Sequence, residues 1–384
     1  MDFELTQEQQ MIRQAVREFA EKEIAPNARH VDETGEFPAA TFRKMGELGL
    51  MGIPFPEKYG GAGADSLSAA IAVEEVARAC GSTALAYSAH MGLGSAPIFM
   101  FGSEEQKRAF LKPAAEGKYM AAFGLTEPHA GSDAGATRTT ARLDGNQWVL
   151  NGAKMWITNA PVAGHLIFTA VTDPDKGKNG ISAIIVPGGA KGLSFGKHEP
   201  KMGLRGSVST AIMLEDVRVP KENLLGERGR GFNLFLQVLD GGRIGIGAMA
   251  VGLAQAAFEA ASVYAKERTA FGKPIGAFES ISNMIADMAT GIAAARLMVY
   301  QAAWLKDLGK PFSQHAAMAK LFASETAEKT CHDAIQVFGG YGYSQEFPVE
   351  RIYRDQRLLT IGEGTSEILR VVIGRHVLGG FVGN

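Results

Sequence analysis

The sequence predicts an α+β protein of 384 residues in three parts: an N-terminal all-α domain (1–120), a middle antiparallel β domain (121–228) and a C-terminal α-helical bundle domain (229–384). Three observations predict this order. Apolar residues recur at helical spacing over the first 120 residues. A shorter alternating pattern, rich in Gly, Pro, Thr and Asn, replaces it near residue 121, and long helical periodicity returns near residue 229. A chain of this length exceeds one ordinary core, so several domains are expected.

The N-terminal part begins with a predicted amphipathic helix over residues 6–25. Thr6 and Gln9 have the spacing of a capping box, and Pro26 is suited to the position just beyond a helix end. Between them, apolar residues repeat on one helical face at Ile12, Val16, Phe19, Ala20 and Ile24. The same periodicity predicts further helices over residues 38–49, 66–80, 92–101 and 103–116.

The middle part shows the alternation typical of strands. Trp148 and Leu150 fall on one side of a segment, and Leu166 and Phe168 do the same in the next segment. Residues 181–186 form a short β-branched run that ends at a proline. Turn-forming residues separate these segments, which favours a compact β domain.

Four long helical segments are predicted in the C-terminal part, at 231–266, 277–308, 313–338 and 364–379, and such segments commonly form an antiparallel bundle. The first contains four glycines, Gly241, Gly242, Gly245 and Gly247, which indicate either a break or the close approach of a ligand or backbone. Residues 245–250 also fit a GxGxxA dinucleotide fingerprint. Their flanks read as helix on both sides, which argues against a Rossmann site.

Composition excludes several classes of function. The 39 basic and 41 acidic side chains give a net charge of −2 with no sustained basic run, so nucleic-acid binding is not expected. Cys80 and Cys331 are far apart and read as buried apolar residues, and the eight histidines lack metal-ligand spacing. No segment reaches about 18 uninterrupted apolar residues, so no membrane span is expected. The acidic start lacks signal or transit features, which favours a cytoplasmic location.

Four segments have unusual chemistry. Residues 123–135 (FGLTEPHAGSDAG) are dense in hydroxyls and glycines, so backbone N–H groups can approach a polar ring edge or a phosphate. Residues 154–159 (KMWITN) offer an indole to cover an aromatic face and a threonine to donate to it. Each segment alone has an ordinary explanation, as a Gly-rich connector or as core.

The third segment pairs residues 268–272 (RTAFG) with 336–340 (QVFGG), where an arginine suits a pyrophosphate and two glycines allow close backbone approach. The fourth is residues 361–367 (IGEGTSE). Glu363 stands there between glycines just before a predicted helix, and a carboxylate shielded from water would have a raised pKa and could serve as a general base. A surface arginine and a helix-start acid remain the ordinary alternatives for each alone.

Taken together, the stretches LTEPHAGSDAG, KMWITN, ERTAFGKPI, QVFGGYGY and GEGTSEI resemble, in identity and order, the acyl-CoA dehydrogenase family, and the resemblance covers essentially the whole chain. The resemblance implies an α-helical domain, a β domain and a C-terminal four-helix bundle. It also implies FAD as cofactor, an acyl-CoA thioester as substrate and no metal.

The resemblance assigns residues to the cofactor in two groups. The first contacts the flavin ring and nearby atoms: Phe123, Leu125, Thr126, Ser132, Trp156, Ile157 and Thr158. The second holds the pyrophosphate and adenosine of a neighbouring subunit, which implies a homotetramer built as a dimer of dimers: Arg268, Phe271, Gln336, Val337, Phe338, Gly339 and Gly340. Thr365 and Glu367 resemble the last cofactor contacts.

For the substrate, the resemblance assigns Ser132, Asp240, Arg243 and Gly364 to acyl-CoA and Glu363 to the base that removes the α-proton. A minority of the family places this base at the position of Gly242, which has no side chain here. The thioester oxygen would meet the Glu363 N–H and a flavin hydroxyl, and electrons would pass to an electron-transferring flavoprotein. Asp240 and Arg243 lie one turn apart if their segment is helical.

Two departures from the family pattern bear on specificity. Glu279 replaces a glutamine that helps to hold adenosine, and Gly362 replaces a tyrosine before the base. Loss of the aromatic side chain widens the acyl cavity, so we expect a short or branched substrate. Three rivals remain open: an acyl-CoA oxidase that uses oxygen, a related flavoprotein acting on a non-CoA substrate such as a nitroalkane, and a non-catalytic family member.

Overall fold

The computed structural model describes residues 4–379, and its first part is helical as predicted. The helices of this part are α1 (Gln7–Phe19), α2 (Ala28–Thr34), α3 (Ala39–Glu47), α4 (Ser66–Ala79), α5 (Gly81–Ala89), α6 (Ala96–Phe101), α7 (Glu104–Gln106) and α8 (Lys112–Ala115). Short π-helical segments continue α1 over Ala20–Ile24, join α5 to α6 over His90–Ser95 and join α7 to α8 over Lys107–Leu111.

The predicted capping box at the start of α1 is confirmed. The Thr6 side chain accepts from Gln9 N at 3.2 Å, and Thr6 N donates to Gln9 Oε1 at 3.0 Å. The helix predicted at 92–101 was too short, because α5 begins at Gly81 and runs on through the π-helical turn. Every residue of α5 is buried, so the segment shows no apolar stripe for periodicity to detect.

The middle part forms one eight-stranded sheet within the described residues. Its strands are β1 (Met120–Gly124), β2 (Thr140–Asp144), β3 (Gln147–Thr158), β4 (Ala163–Val171), β5 (Ile181–Pro187), β6 (Leu193–Phe195), β7 (Ser209–Pro220) and β8 (Leu224–Leu225). The order is β6-β7-β3-β2-β4-β5-β8, with β1 beside β4. Most pairs are antiparallel as predicted, but β1 and β2 each pair with β4 in parallel.

The C-terminal part contains α9 (Gly231–Glu267), α10 (Glu279–Asp307), α11 (Ser313–Phe338), α12 (Val349–Gln356) and α13 (Ser366–Val377). A small hairpin of β9 (Thr269–Ala270) and β10 (Lys273–Pro274) follows α9. Three long helices and α13 form the bundle, and α12 was not predicted. By length and composition α9 could cross a membrane, but 67% of its most apolar window is buried inside the protein, as in a core helix.

The glycine-rich stretch of α9 is a site of close approach and not a break, since the helix is continuous through all four glycines. A side chain at Gly245 would meet Ser88 Oγ at 2.5 Å, and one at Gly247 would meet Val299 at 2.9 Å. The continuous helix also excludes the strand that a dinucleotide fingerprint needs before it.

Two large hydrophobic clusters position the functional region. One combines helices from both ends of the chain, including Val16, Val76, Met249 and Val299, so the N-terminal and C-terminal helices share a core. The other lies on the sheet and includes the predicted pairs Trp148 with Leu150 and Phe168 with Leu166. α9 lies between these regions, since its first turns pack on the sheet and its later turns pack in the helical core.

Candidate active site

A bulge near the end of β3 turns the Trp156 side chain out of the sheet. The pairing of β3 with β7 shifts register between Lys154 and Ile157, and Trp156 has a φ of 62°. Its indole is consequently 56% exposed, although its neighbour Ile157 is buried in the sheet core. Bulges of this kind commonly re-aim a side chain next to a functional site. An exposed, backbone-fixed indole is suited to cover a planar ring.

The loop after β1 is fastened to the same end of β3. Met155 N donates to Thr126 O at 2.9 Å, and Lys154 Nζ donates to Leu125 O at 3.2 Å. Within the buried interior, Lys154 Nζ also donates to Glu127 Oε1 at 2.7 Å. The structure therefore brings the segments at 123–127 and 154–158 together, as their proposed common role requires.

The residues predicted to contact the flavin ring have different surroundings. Phe123 packs its ring on Phe235 of α9 with centroids 4.0 Å apart, and Thr158 lies within 3.4 Å of the Ser209 hydroxyl. Ser132 is exposed and lies at a bend of the loop after β1. Because the Ile157 side chain fills the sheet core, only its main chain is left for a cofactor.

The second predicted group lines a pocket of ≈570 Å³ at the far end of the bundle. Arg268 lies there with Val337, Phe338, Gly339 and Gly340. A Cβ added at either glycine would meet nothing within 4 Å, so the backbone is open to a ligand. The Arg268 guanidinium lies 5.7 Å from the Tyr341 ring centre. A fixed cation beside open backbone is suited to a phosphate.

Phe271, Gln336 and Glu279, which the sequence also associated with the adenosine end of the cofactor, are not among the residues that line this pocket. Phe271, at the tip of the β9–β10 hairpin with a φ of 50°, is 95% exposed, and Gln336 is an exposed residue near the end of α11. Glu279 begins α10 and is exposed too. The Phe338 side chain stacks on Tyr264 at 4.1 Å, so it helps to form the pocket wall.

The predicted base lies in a turn just before α13. Glu363 has a left-handed backbone with a φ of 53°, and Gly364 follows at 100°. Thr365 caps α13 by accepting from Ile368 N at 3.3 Å, and Glu367 is an exposed acid in the first helical turn. This turn directs the Glu363 side chain at Gly242 of α9, where an added Cβ would overlap Glu363 Oε2.

The Glu363 carboxylate is shielded from water although the residue as a whole is partly exposed. Its Oε2 atom is inaccessible to solvent and has no hydrogen-bond partner among the described residues. Burial raises the pKa of Glu363 to about 7, and the positive charges of Lys320 and Arg243 only partly oppose that rise. A carboxyl group with a pKa near neutrality can both take up and hold a proton.

Asp240 and Arg243 share a face of α9, as their spacing predicted. Arg243 Nη1 lies 2.5 Å from Asp240 Oδ1, and the guanidinium is almost entirely buried. Burial lowers the pKa of Arg243, while Asp240 and Glu363 favour its charge. The pair therefore places a fixed, paired cation beside the base.

Helix α9 contacts both the end of β1, through Phe123, and the Glu363 carboxylate. Phe235, which contacts Phe123, and Gly242, which contacts Glu363, lie on α9 roughly 10 Å apart along the helix axis. An exposed indole at one end of this stretch and a carboxylate oxygen without a hydrogen-bond partner at the other are groups that suit a planar cofactor and a proton transfer.

Sequence reasoning missed three buried charged residues at this site: Glu127, Lys154 and Lys320. Glu127 and Lys154 stood inside quoted motifs but were given no role. Lys320 was not singled out, although it falls on the small-residue face of α11 with Ala316, Ala323 and Ala327. A lysine on a buried stripe was the available signal.

Comparison with known proteins identifies one family over nearly the whole chain. The N-terminal, middle and C-terminal domains of acyl-CoA dehydrogenase match residues 6–118, 122–217 and 229–378. The chain is similar to a probable acyl-CoA dehydrogenase of Bacillus subtilis, at 59% identity over 98% of this chain and 100% of the relative. A short-chain specific acyl-CoA dehydrogenase of Clostridium acetobutylicum is 49% identical, with 98% and 100% coverage.

Two solved structures are also similar. Butyryl-CoA dehydrogenase from Megasphaera elsdenii superposes with a TM-score of 0.97 at 45% identity, and the match covers 98% of this chain and 100% of that one. A chain from work on the electron transferring flavoprotein of Acidaminococcus fermentans and flavin-based electron bifurcation has a TM-score of 0.98 at 49% identity, with the same coverage.

Proposed function

Since this chain belongs to the acyl-CoA dehydrogenase family and is an FAD-dependent enzyme of that family, we propose that it converts a short or branched acyl-CoA to the 2-enoyl-CoA with Glu363 as the base. One observation carries the proposal: a single carboxylate oxygen, shielded from water and without a hydrogen-bond partner, faces the side-chain-free position of α9.

The chemistry assigned to the chain is proton removal at the carbon next to the thioester. Bound FAD supplies the acceptor for the hydride that leaves the β-carbon. Glu363 Oε2 takes the α-proton, and a pKa of about 7 keeps a large fraction of the carboxylate ready as base at neutral pH. The overlap that any side chain at position 242 would create explains why only one carboxylate occupies this place.

The cofactor residues are proposed in the two groups described above. Trp156, with the main chain at 157 and the hydroxyls of Thr126 and Thr158, would hold the ring, and Arg268 with the open backbone at 339–340 would hold the phosphates. These two groups lie at different ends of the molecule. That separation supports the proposal that a neighbouring subunit supplies the second group and that the enzyme is a homotetramer.

For the substrate, we propose that Asp240 and Arg243 meet the CoA portion and that Gly362 leaves the acyl cavity wide. A Cβ at Gly362 would meet Leu358 at 3.6 Å, which is ordinary contact, so the position has room for a side chain that this chain does not carry. The short-chain and butyryl-CoA relatives support a short substrate, and the structural relative studied with an electron transferring flavoprotein supports that class of protein as electron acceptor.

The test is anaerobic bleaching of the bound flavin by a panel of straight and branched acyl-CoAs. We expect the shorter and branched members to bleach it fastest. Glu363→Gln should keep its flavin and bind acyl-CoA but bleach at least about 100-fold more slowly, because a general base contributes a factor of this order. Glu47→Gln, which neutralises an exposed acid on α3, is the control and should bleach at the wild-type rate.

Two results would overturn the proposal. Bleaching of Glu363→Gln near the wild-type rate would remove the base assignment, and failure of every acyl-CoA would favour a non-CoA substrate. Peroxide formation that keeps pace with turnover in air would identify an oxidase instead.

A further inference from the structure

The turn that carries Glu363 is held from the neighbouring helix by a buried lysine. Lys320 of α11 has no exposed side-chain surface, and its Nζ donates to Gly364 O at 2.7 Å. These two residues are 44 positions apart in the chain. A charged donor on a carbonyl gives one of the stronger hydrogen bonds available in a protein.

The turn needs such support because its backbone is strained. Glu363 adopts a left-handed conformation, which is unfavourable for a residue with a side chain. On one side the turn is tied to Leu358 O by the N–H groups at positions 361 and 362, and on the other Thr365 caps α13. The bond from Lys320 lies between these two ties, directly after the base.

We propose that Lys320 is a positioning residue for the reaction: its ammonium fixes the strained turn at Gly364 and, through its charge, keeps the Glu363 carboxylate ionised near neutral pH. This inference rests on the function proposed above. Lys320 has a second role besides the hydrogen bond, because an uncharged donor could hold the turn but could not favour the ionised form of the base.

Charge and geometry agree on this role. Burial lowers the pKa of Lys320 to about 8, and the negative charge of Glu363 opposes that shift, so the lysine remains mainly protonated at neutral pH. Among the ion pairs of residues 4–379, none joins Lys320 to Glu363. The ammonium therefore acts on the carboxylate at a distance and leaves it free to accept a proton.

The other charged groups around this pair have different partners or positions. Arg243, from α9, also favours the ionised form of Glu363, but it is bound to Asp240 at 2.5 Å. Glu325 on α11 and Glu367 on α13 act weakly on Lys320 and are exposed. Of the two cations that act on Glu363, Lys320 and Arg243, only Lys320 makes no ion pair within residues 4–379.

The experiment compares the pH dependence of flavin reduction by a saturating acyl-CoA in three variants. Lys320→Met should raise the acidic limb by about one pH unit, which lowers the rate about tenfold near pH 6 and less than about threefold near pH 9. Lys320→Arg keeps the charge and should keep the wild-type limb even if its plateau is lower. Ser324→Ala, one turn along α11 and buried, controls for helix packing and should match wild type.

The outcomes separate this inference from the proposed function. Equal rate loss at every pH in Lys320→Met, or an unshifted limb, would contradict the role in ionisation while wild-type bleaching leaves the function intact. Failure of the wild-type enzyme to bleach would remove the function itself. If Lys320→Met does not load flavin, the same titration on Lys320→Gln, which keeps a donor without charge, decides the matter: an unshifted limb contradicts the inference and a raised limb supports it.

Discussion

Two buried glutamates, one in the β region and one in the helical region, have opposite electrostatic environments. Glu127 accepts from Lys154 Nζ at 2.7 Å and from the main-chain N–H groups of residues 138 and 139. Burial alone would raise its pKa, but these partners hold the pKa of Glu127 below the ordinary value. Glu363 has a lysine nearby that is bound to a carbonyl instead, and its pKa rises to about 7.

The difference shows how a glutamate and a lysine can stabilise a loop in one place and, by the function proposed above, supply a base in another. A carboxylate that is fully paired stabilises the loop it holds, and its partners favour the ionised form over the protonated one. A carboxylate that is desolvated but unpaired weakens the fold and gains basicity. At each site a lysine supports a loop, and the partner of that lysine decides which outcome follows.

The largest expected effect comes from breaking the paired site. Lys154→Met should lower the free energy of unfolding by about 3–5 kcal/mol, because it leaves the buried Glu127 charge without its partner. Urea unfolding of the flavin-loaded protein measures this. Lys44→Met, which breaks the exposed pair of Lys44 with Glu23, is the control and should change the free energy by less than about 1 kcal/mol. An equal loss in both variants would refute the distinction.

The unpaired site should respond to neutralisation in the opposite direction. The pKa of Glu363 in the folded protein is about 7, above its ordinary value of 4.5. Between about pH 5 and pH 7 the carboxyl group therefore ionises more readily in the unfolded chain than in the folded protein. The contribution of Glu363 to wild-type stability consequently falls as pH rises through this range. Glu363→Gln should therefore be more stable than wild type by up to about 3 kcal/mol at pH 8.

At pH 4.5 or below, the same substitution should have little effect on stability. Thermal unfolding at the two pH values, without acyl-CoA, measures the difference. A Glu363→Gln variant that is less stable than wild type at pH 8 would show that the carboxylate has a partner in the folded protein.

Some features of these two sites could be predicted from the sequence and others could not. Residues 313–338 were predicted as a helix with the observed bounds, and Glu363 was predicted in a turn before a helix, since periodicity and glycine placement are local signals. The partners of the two lysines could not be predicted. Lys154 of β3 meets Glu127 in the loop after β1, and Lys320 of α11 meets Gly364 in the turn before α13, so both contacts depend on tertiary packing.

The bulge at Trp156 is a similar case. The sequence indicated an indole that could cover a ring, but its exposure depends on the register shift against β7, a strand that alternation did not reveal. The burial of Ile157, Val337 and Phe338 was likewise not apparent from motifs that placed them with the cofactor.

The smallest expected effect concerns the cavity beside the base. Gly362→Tyr should shift preference toward straight acyl chains and away from branched ones by roughly tenfold, because the added ring narrows the cavity and the effect of one methylene group in an apolar pocket begins at about this size. Ratios of kcat/KM across the acyl-CoA panel measure this. Gly362→Ala, which adds only one methyl group, should leave the preference nearly unchanged. If Gly362→Tyr and wild type gave the same ratios, position 362 would have no influence on the choice of acyl chain.

The most direct measurement is the titration of Glu363 itself. Infrared difference spectra of the flavin-loaded enzyme, wild type minus Glu363→Gln, report the protonated carboxyl band of this one residue as pH is varied. We predict a midpoint near 7. A midpoint near 4.5, the ordinary value for a glutamate, would contradict it.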